Sequence, residues 1–143
     1  METPAVSEGF ALDPQLHADT TPVVELPLCS VRLSDDATYP WLVLVPRRAE
    51  CVEIIDLAPD DRAILIEEIA MASRVLKYLT DAHKLNVAAL GNAVAQLHIH
   101  VIARYPEDPA WPGPIWGKVP AQARDAAERA NFTARLQRAF ADA

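Results

Sequence analysis

Long hydrophobic runs are missing from this 143-residue chain. No stretch approaches the roughly 20 consecutive apolar residues that a membrane-spanning helix needs. The segment from Met1 to Asp19 is acidic and interrupted by proline. It has neither the basic start nor the apolar middle of a secretory leader, so a cytoplasmic protein is expected. Cysteine is scarce. Cys29 and Cys51 stand far apart and match no zinc or redox spacing. In a reducing compartment they read as ordinary buried thiols. Positive charge is short as well, with 13 Lys and Arg against 20 Asp and Glu and a formal net charge of −7. Such a surface repels phosphate backbones at long range, which argues against nonspecific nucleic-acid binding. It leaves room for a small nucleotide, because local donors decide that. What the chain does have is apolar content of 51%. That is enough for a proper core, and the length suits one domain.

Residues 1–27 read as a lead-in punctuated by Pro4, Pro14, Pro22 and Pro27, each of which removes a backbone donor and disfavours helix before it. Residues 28–33 alternate partly and suit a strand. Residues 34–38 (Ser-Asp-Asp-Ala-Thr) suit a turn. Trp41 to Val45 is short, apolar and bounded by Pro40 and Pro46, as a buried strand is. The clearest helix runs from Asp60 to His83. Pro59 suits a first helical position, Asp60 and Asp61 complement the positive end of the dipole, and Leu65, Ile69, Ala72, Leu76 and Leu79 form one stripe. Residues 86–90 suit a strand, Gly91 and Asn92 a loop, and residues 97–103 a strand. Residues 105–117 carry four prolines and two glycines and are irregular. Trp111 and Trp116 there point to a packed segment. Residues 121–140 predict a terminal helix. This order predicts an α+β fold with an antiparallel sheet.

The chemistry concentrates in residues 96–102, Gln-Leu-His-Ile-His-Val-Ile. On a strand, Gln96, His98 and His100 share one face, and Leu97, Ile99 and Val101 share the other. Three readings fit such a row. It is a half-exposed strand whose outer face carries two histidines. It is part of a metal site, although zinc wants at least three protein ligands and His17 and His83 sit on no matching strand. Or it is a nucleophilic imidazole acting at phosphorus, with a neighbour two residues on that holds phosphate oxygens.

Residues 86–102, followed by Ala103 and Arg104, resemble the signature of the histidine-triad superfamily. That signature is His-φ-His-φ-His-φ-φ, with φ apolar, after a segment like Asn…Gly-Gln-Ser. The strand from Trp41 to Pro46 resembles the superfamily's earlier His-φ-φ-φ-φ-Pro strand, and a long helix lies between the two, as it does there. The resemblance covers about residues 25–105, with residues 106–143 as a tail and terminal helix of the same single domain. The Trp-Pro-Gly-Pro-Ile-Trp-Gly run resembles a bacterial branch of the superfamily.

Carried over by position, the resemblance makes His98 the nucleophile and places His100 near the phosphate oxygens. Gln96 stands where the first histidine of the triad belongs. Asn92 replaces the usual Gln, Ala93 the usual Ser, and Trp41 an auxiliary histidine. Asp35 takes the acidic ribose-binding place. Asn86 and Arg104 are further candidates for substrate binding, Arg104 by a bidentate phosphate contact. Arg47 and Arg48 are expected in solvent. The resemblance implies a HIT-like antiparallel sheet, a homodimer, and nucleotidyl transfer or hydrolysis at an α-phosphate. No metal ligand set is apparent for that chemistry, and no cofactor is expected. The substrates would be dinucleoside polyphosphates or nucleoside phosphate conjugates. The changes at Gln96 and Ala93 keep open a nucleotide-binding module with little turnover.

Overall fold

The computed structural model describes residues 6–143, so Met1 to Ala5, including the expected break at Pro4, lie outside it. Its centre is a five-stranded antiparallel sheet in the order β1-β2-β3-β5-β4. The strands are β1 (Thr20–Glu25), β2 (Cys29–Ser34), β3 (Trp41–Pro46), β4 (Lys84–Ala88) and β5 (Ile99–Arg104). The long helix α2 (Pro59–Thr80) joins β3 to β4, and α3 (Ala126–Ala141) closes the chain. The fold is therefore the expected α+β arrangement, with each expected element shifted by a few residues.

Alternation sorts the strands into two packed faces. Val31, Leu33, Leu42, Leu44, Ile99, Val101 and Ala103 meet Leu65, Ala72, Val75 and Leu76 of α2 and Leu136 and Phe140 of α3. The reverse face is covered too, by two smaller clusters. Val43 and Val45 pack with Leu16 and, less deeply, Phe10 and Leu12. Ile102 packs with Tyr39, Ala110 and Ile115. That second cover is why β3 reads as a continuous apolar run, and why Ile102 stands on the histidine face of β5. It also removes the half-exposed strand from consideration, because His98 and His100 are each only 7% exposed.

The lead-in expected over residues 1–27 is instead structured in its described part, from residue 6 on, which holds a helix, α1 (Pro14–Asp19), and strand β1. Pro14 occupies the start of the helix, where its missing N–H costs nothing, and the Asp13 side chain caps it by accepting from the Gln15 amide at 2.8 Å. Pro22 is tolerated because β1 is an edge strand and its pairing with β2 slips at the bulge between Pro22 and Val24. Arg47 and Arg48 are not solvent residues. Arg47 is buried and bonds the Glu25 carboxylate and the Leu26 carbonyl, while Arg48 forks onto Asp61 at 2.8 and 3.1 Å. The terminal helix starts five residues later than expected. Residues before it serve the sheet instead: Ala123 bridges to Asp36, Arg124 donates to the Ser34 and Tyr39 carbonyls, and Asp125 caps the helix.

Candidate active site

The register of β3 on β5 builds the site. Val43 lies opposite His100 and Trp41 opposite Ile102, so the Trp41 indole reaches diagonally across to the His100 ring. The Trp41 Nε1–H donates to His100 Nδ1 at 2.9 Å. A ring nitrogen that accepts carries no proton, so neutral His100 holds its proton on Nε2. Burial lowers the His100 pKa from 6.5 to about 4, with the neighbouring His98 contributing. His100 is thus a neutral imidazole at pH 7 that presents an N–H.

His98 has the opposite polarity. Its Nδ1 lies 2.7 Å from the Gln96 backbone carbonyl. A carbonyl only accepts, so Nδ1 carries a proton, and the lone pair of the neutral ring lies on Nε2. The two rings meet edge to face at 4.9 Å between centroids. Trp116, from the irregular tail, stands 5.1 Å from His100 and 6.2 Å from Trp41. A cavity of about 400 Å³ opens in front of the pair, and Asn92, Ala93, Val94 and Trp116 contribute to its walls. Leu16, Asp19 and Thr20 of the N-terminal segment line it as well. Asp19 and the two histidines are its only titratable lining groups among the described residues.

The other sequence candidates fall elsewhere. Gln96 sits in a bend ahead of β5 and does not join the histidines. Its amide is spent on the N-terminal segment, accepting from the Asp13 N–H at 2.9 Å and donating to the Ala11 carbonyl at 2.8 Å. Arg104 is 1% exposed, and in place of a phosphate contact it bonds Asp108 at 2.7 and 3.0 Å, the Asn86 side chain at 2.6 Å and the Gly113 carbonyl at 2.8 Å. Arg104 and Asn86 together therefore tie the irregular tail to the sheet. Asp35 accepts from Thr21 at 2.9 Å and lines a neighbouring hollow that shares Asp19, Ser34 and Trp41 with the histidine cavity. Trp111 packs edge-on to His83, 5.5 Å away, and stays out of the site. Both cysteines are buried and free. Among the described residues no cluster of three His, Cys, Asp or Glu side chains is placed to hold a metal ion, and no helix is long and apolar enough to cross a membrane.

Two contributions escaped the sequence reading. One is the indole bond that sets the His100 tautomer, which depends on strand register. The other is the N-terminal wall, whose available signal was Asp13-Pro14, a cap residue followed by a first-turn proline.

A family model described as the HIT domain matches residues 15–107. Among solved structures, a histidine triad protein from Bradyrhizobium japonicum is 50% identical, with a TM-score of 0.89, over 92% of this chain and 98% of that one. Another from Sinorhizobium meliloti is 45% identical, with a TM-score of 0.88, over 91% of this chain and 96% of that one. A third from Marinobacter aquaeolei is 43% identical, with a TM-score of 0.90, over 93% and 97%. No curated protein matches the chain. With a domain match across most of its length and full-length relatives at this identity, the chain belongs to the histidine triad (HIT) family.

Proposed function

We propose that the chain is a nucleotide-processing enzyme in which His98 attacks the α-phosphate of a dinucleoside polyphosphate or a related nucleoside phosphate conjugate. The observation that carries this reading is the bond from His98 Nδ1–H to the Gln96 carbonyl, because it selects the tautomer whose lone pair lies on Nε2, on a residue that lines the cavity. The Nε2–P bond forms as the bond from phosphorus to the leaving group breaks, and the leaving group takes the electron pair. Positive charge spreads over the His98 ring, where the carbonyl at Nδ1–H stabilises it. The His100 Nε2–H donates to a non-bridging oxygen. Water then cleaves the P–N bond, releases the nucleoside monophosphate and returns His98 to its neutral form.

Proton supply shapes the choice of substrate. His100 is neutral near pH 7 and Gln96 faces away, so the departing group leaves as an anion. A phosphate leaves well in that form, since its conjugate acid titrates near pH ~6, whereas an amine does not. The enzyme is expected to turn over diadenosine tetraphosphate faster than adenosine phosphoramidate, read as AMP released. His98→Ala is expected to abolish release while AMP binding stays measurable. Wild-type release by His98→Ala would end the mechanism. Within the same reading the chain pairs with a second copy, a state that sedimentation would report.

The second reading is a nucleotide-binding module with little turnover. It draws on the same cavity, whose lining among the described residues offers no Lys or Arg to a phosphate chain. Tight AMP binding without AMP release from either substrate would establish it.

A further inference from the structure

Gln96 takes the triad's first place in sequence, yet its side chain makes a two-point bond to backbone more than eighty residues away. The carbonyl oxygen receives the Asp13 N–H and the amide donates to the Ala11 carbonyl. An amide is the side-chain group that both donates and accepts in this fixed geometry. The segment it holds is pinned upstream at Ser7, which donates to the Arg47 carbonyl and accepts from the Ala49 amide, and Gln96 supplies the side-chain hold between that pin and α1. Phe10 and Leu12 pack on Val43 and Val45 only as partly buried residues, and the deepest contact is Leu16. Immediately after the bonded backbone, Asp13 caps α1, and α1 with the residue following it delivers Leu16, Asp19 and Thr20 to the wall of the histidine cavity. Asp13 therefore joins the clamp to the wall.

We propose that Gln96 is a positioning residue, which fixes residues 11–13 and through them the α1 wall that grips the nucleotide beside His98. This rests on the cavity being the nucleotide site, but the clamp itself does not. Gln96 touches no reacting atom. A histidine at position 96 would not complete a triad. Its neutral ring also carries one donor and one acceptor, but these diverge across the ring, whereas the O and N of one amide meet both backbone groups side by side, so it would release the segment. The backbone carbonyl of residue 96, which orients His98, survives either way.

Full-length wild type, Gln96→His and Gln96→Met are compared by amide hydrogen exchange, AMP titration and turnover of diadenosine tetraphosphate. Leu12→Ser, which loosens the same segment from its apolar seat, serves as the independent variant. Both position-96 variants are expected to speed exchange over residues 11–19 and to raise the AMP Kd roughly tenfold, a loss of about 1.4 kcal/mol. KM should rise more than kcat falls. The 15N signal of the His98 ring should stay where it is. Combined with Leu12→Ser, Gln96→Met should add little, because both act through one segment. Unchanged exchange over residues 11–19 together with faster turnover in Gln96→His overturns the clamp and restores position 96 to the chemistry. Fully additive effects of Gln96→Met and Leu12→Ser on the AMP Kd overturn it too. Exchange and AMP binding decide the matter even for a protein that never releases AMP, so failure of the catalytic reading shows separately.

Discussion

At residue scale the site works by assigning protons. His98 and His100 are chemically identical, and their partners make them opposite. A carbonyl at His98 Nδ1 forces the proton there, and an indole N–H at His100 Nδ1 forces the proton away. The result is one lone pair and one donor side by side, with ring centroids 4.9 Å apart. Trp41 is the residue on which the second half depends. Trp41→Phe keeps an aromatic ring beside His100 and Trp116 and removes the N–H together with the five-membered part of the indole. The Nδ1 lone pair then loses the bond that favoured the neutral ring in this tautomer. A mixed tautomer signal for His100 in 15N spectra is expected, with turnover down roughly tenfold, short of the larger losses seen when an oxyanion donor is removed outright. A single Nε2–H tautomer in Trp41→Phe would show that the cavity sets it without the indole.

At the scale of elements, the helices hold the sheet through polar pins as well as apolar contact. Glu68 of α2 is 4% exposed and accepts the Leu28 and Cys29 amides at 2.9 and 2.7 Å, where the chain turns into β2. Burial and the adjacent Glu68 carboxylate push the Cys29 thiol far up, so it stays protonated and unreactive. Glu68→Ala strands two buried amides and should cost about 2–4 kcal/mol. Equal denaturant midpoints for wild type and Glu68→Ala would show that water replaces the carboxylate without loss. Local pattern made α2, β3 and β5 legible, because each has a periodic apolar face or a proline boundary. The Asp-Pro start of α1 and the bulged edge strand β1 were hidden by Pro14 and Pro22, whose cost vanishes at a helix start and at a sheet edge. His98, His100 and Asn92 were legible because the strand alternation and the loop before it bring them to one cavity. Gln96, Arg104 and Asn86 were misplaced because side-chain type reveals a hydrogen-bonding capacity and leaves its partner open. Their partners are Asp13 and Ala11, Asp108 and Gly113, which only the folded chain brings near.

For the whole molecule, a buried neutral histidine ties stability to pH. In the unfolded chain His100 titrates at its ordinary value of 6.5, and in the folded chain burial and His98 hold it to about 4. Between those values the unfolded state binds a proton that the folded state refuses, so stability rises with pH across the window. The contribution is complete above pH 6.5 and is lost as pH falls toward 4, amounting to about 3 kcal/mol at most. A second acid-sensitive group acts later. The Arg104 hydrogen bond holds the Asp108 carboxyl down from 3.8 to about 2, so its contribution survives the His100 window and goes only below it. Loss of that pair would free the tail that carries Trp116 over the site. Acid should therefore weaken the protein in two steps, the first assignable to a single ring. Urea midpoints measured from pH 7.5 to 4.5 are expected to fall in wild type and to flatten in His100→Gln, whose amide does not titrate. The variant should start from a lower midpoint at pH 7.5, because the glutamine fills less of the space beside Trp41 and Trp116. An equally steep fall in His100→Gln would place the acid sensitivity in some other group and remove the energetic argument for a neutral His100 at the site.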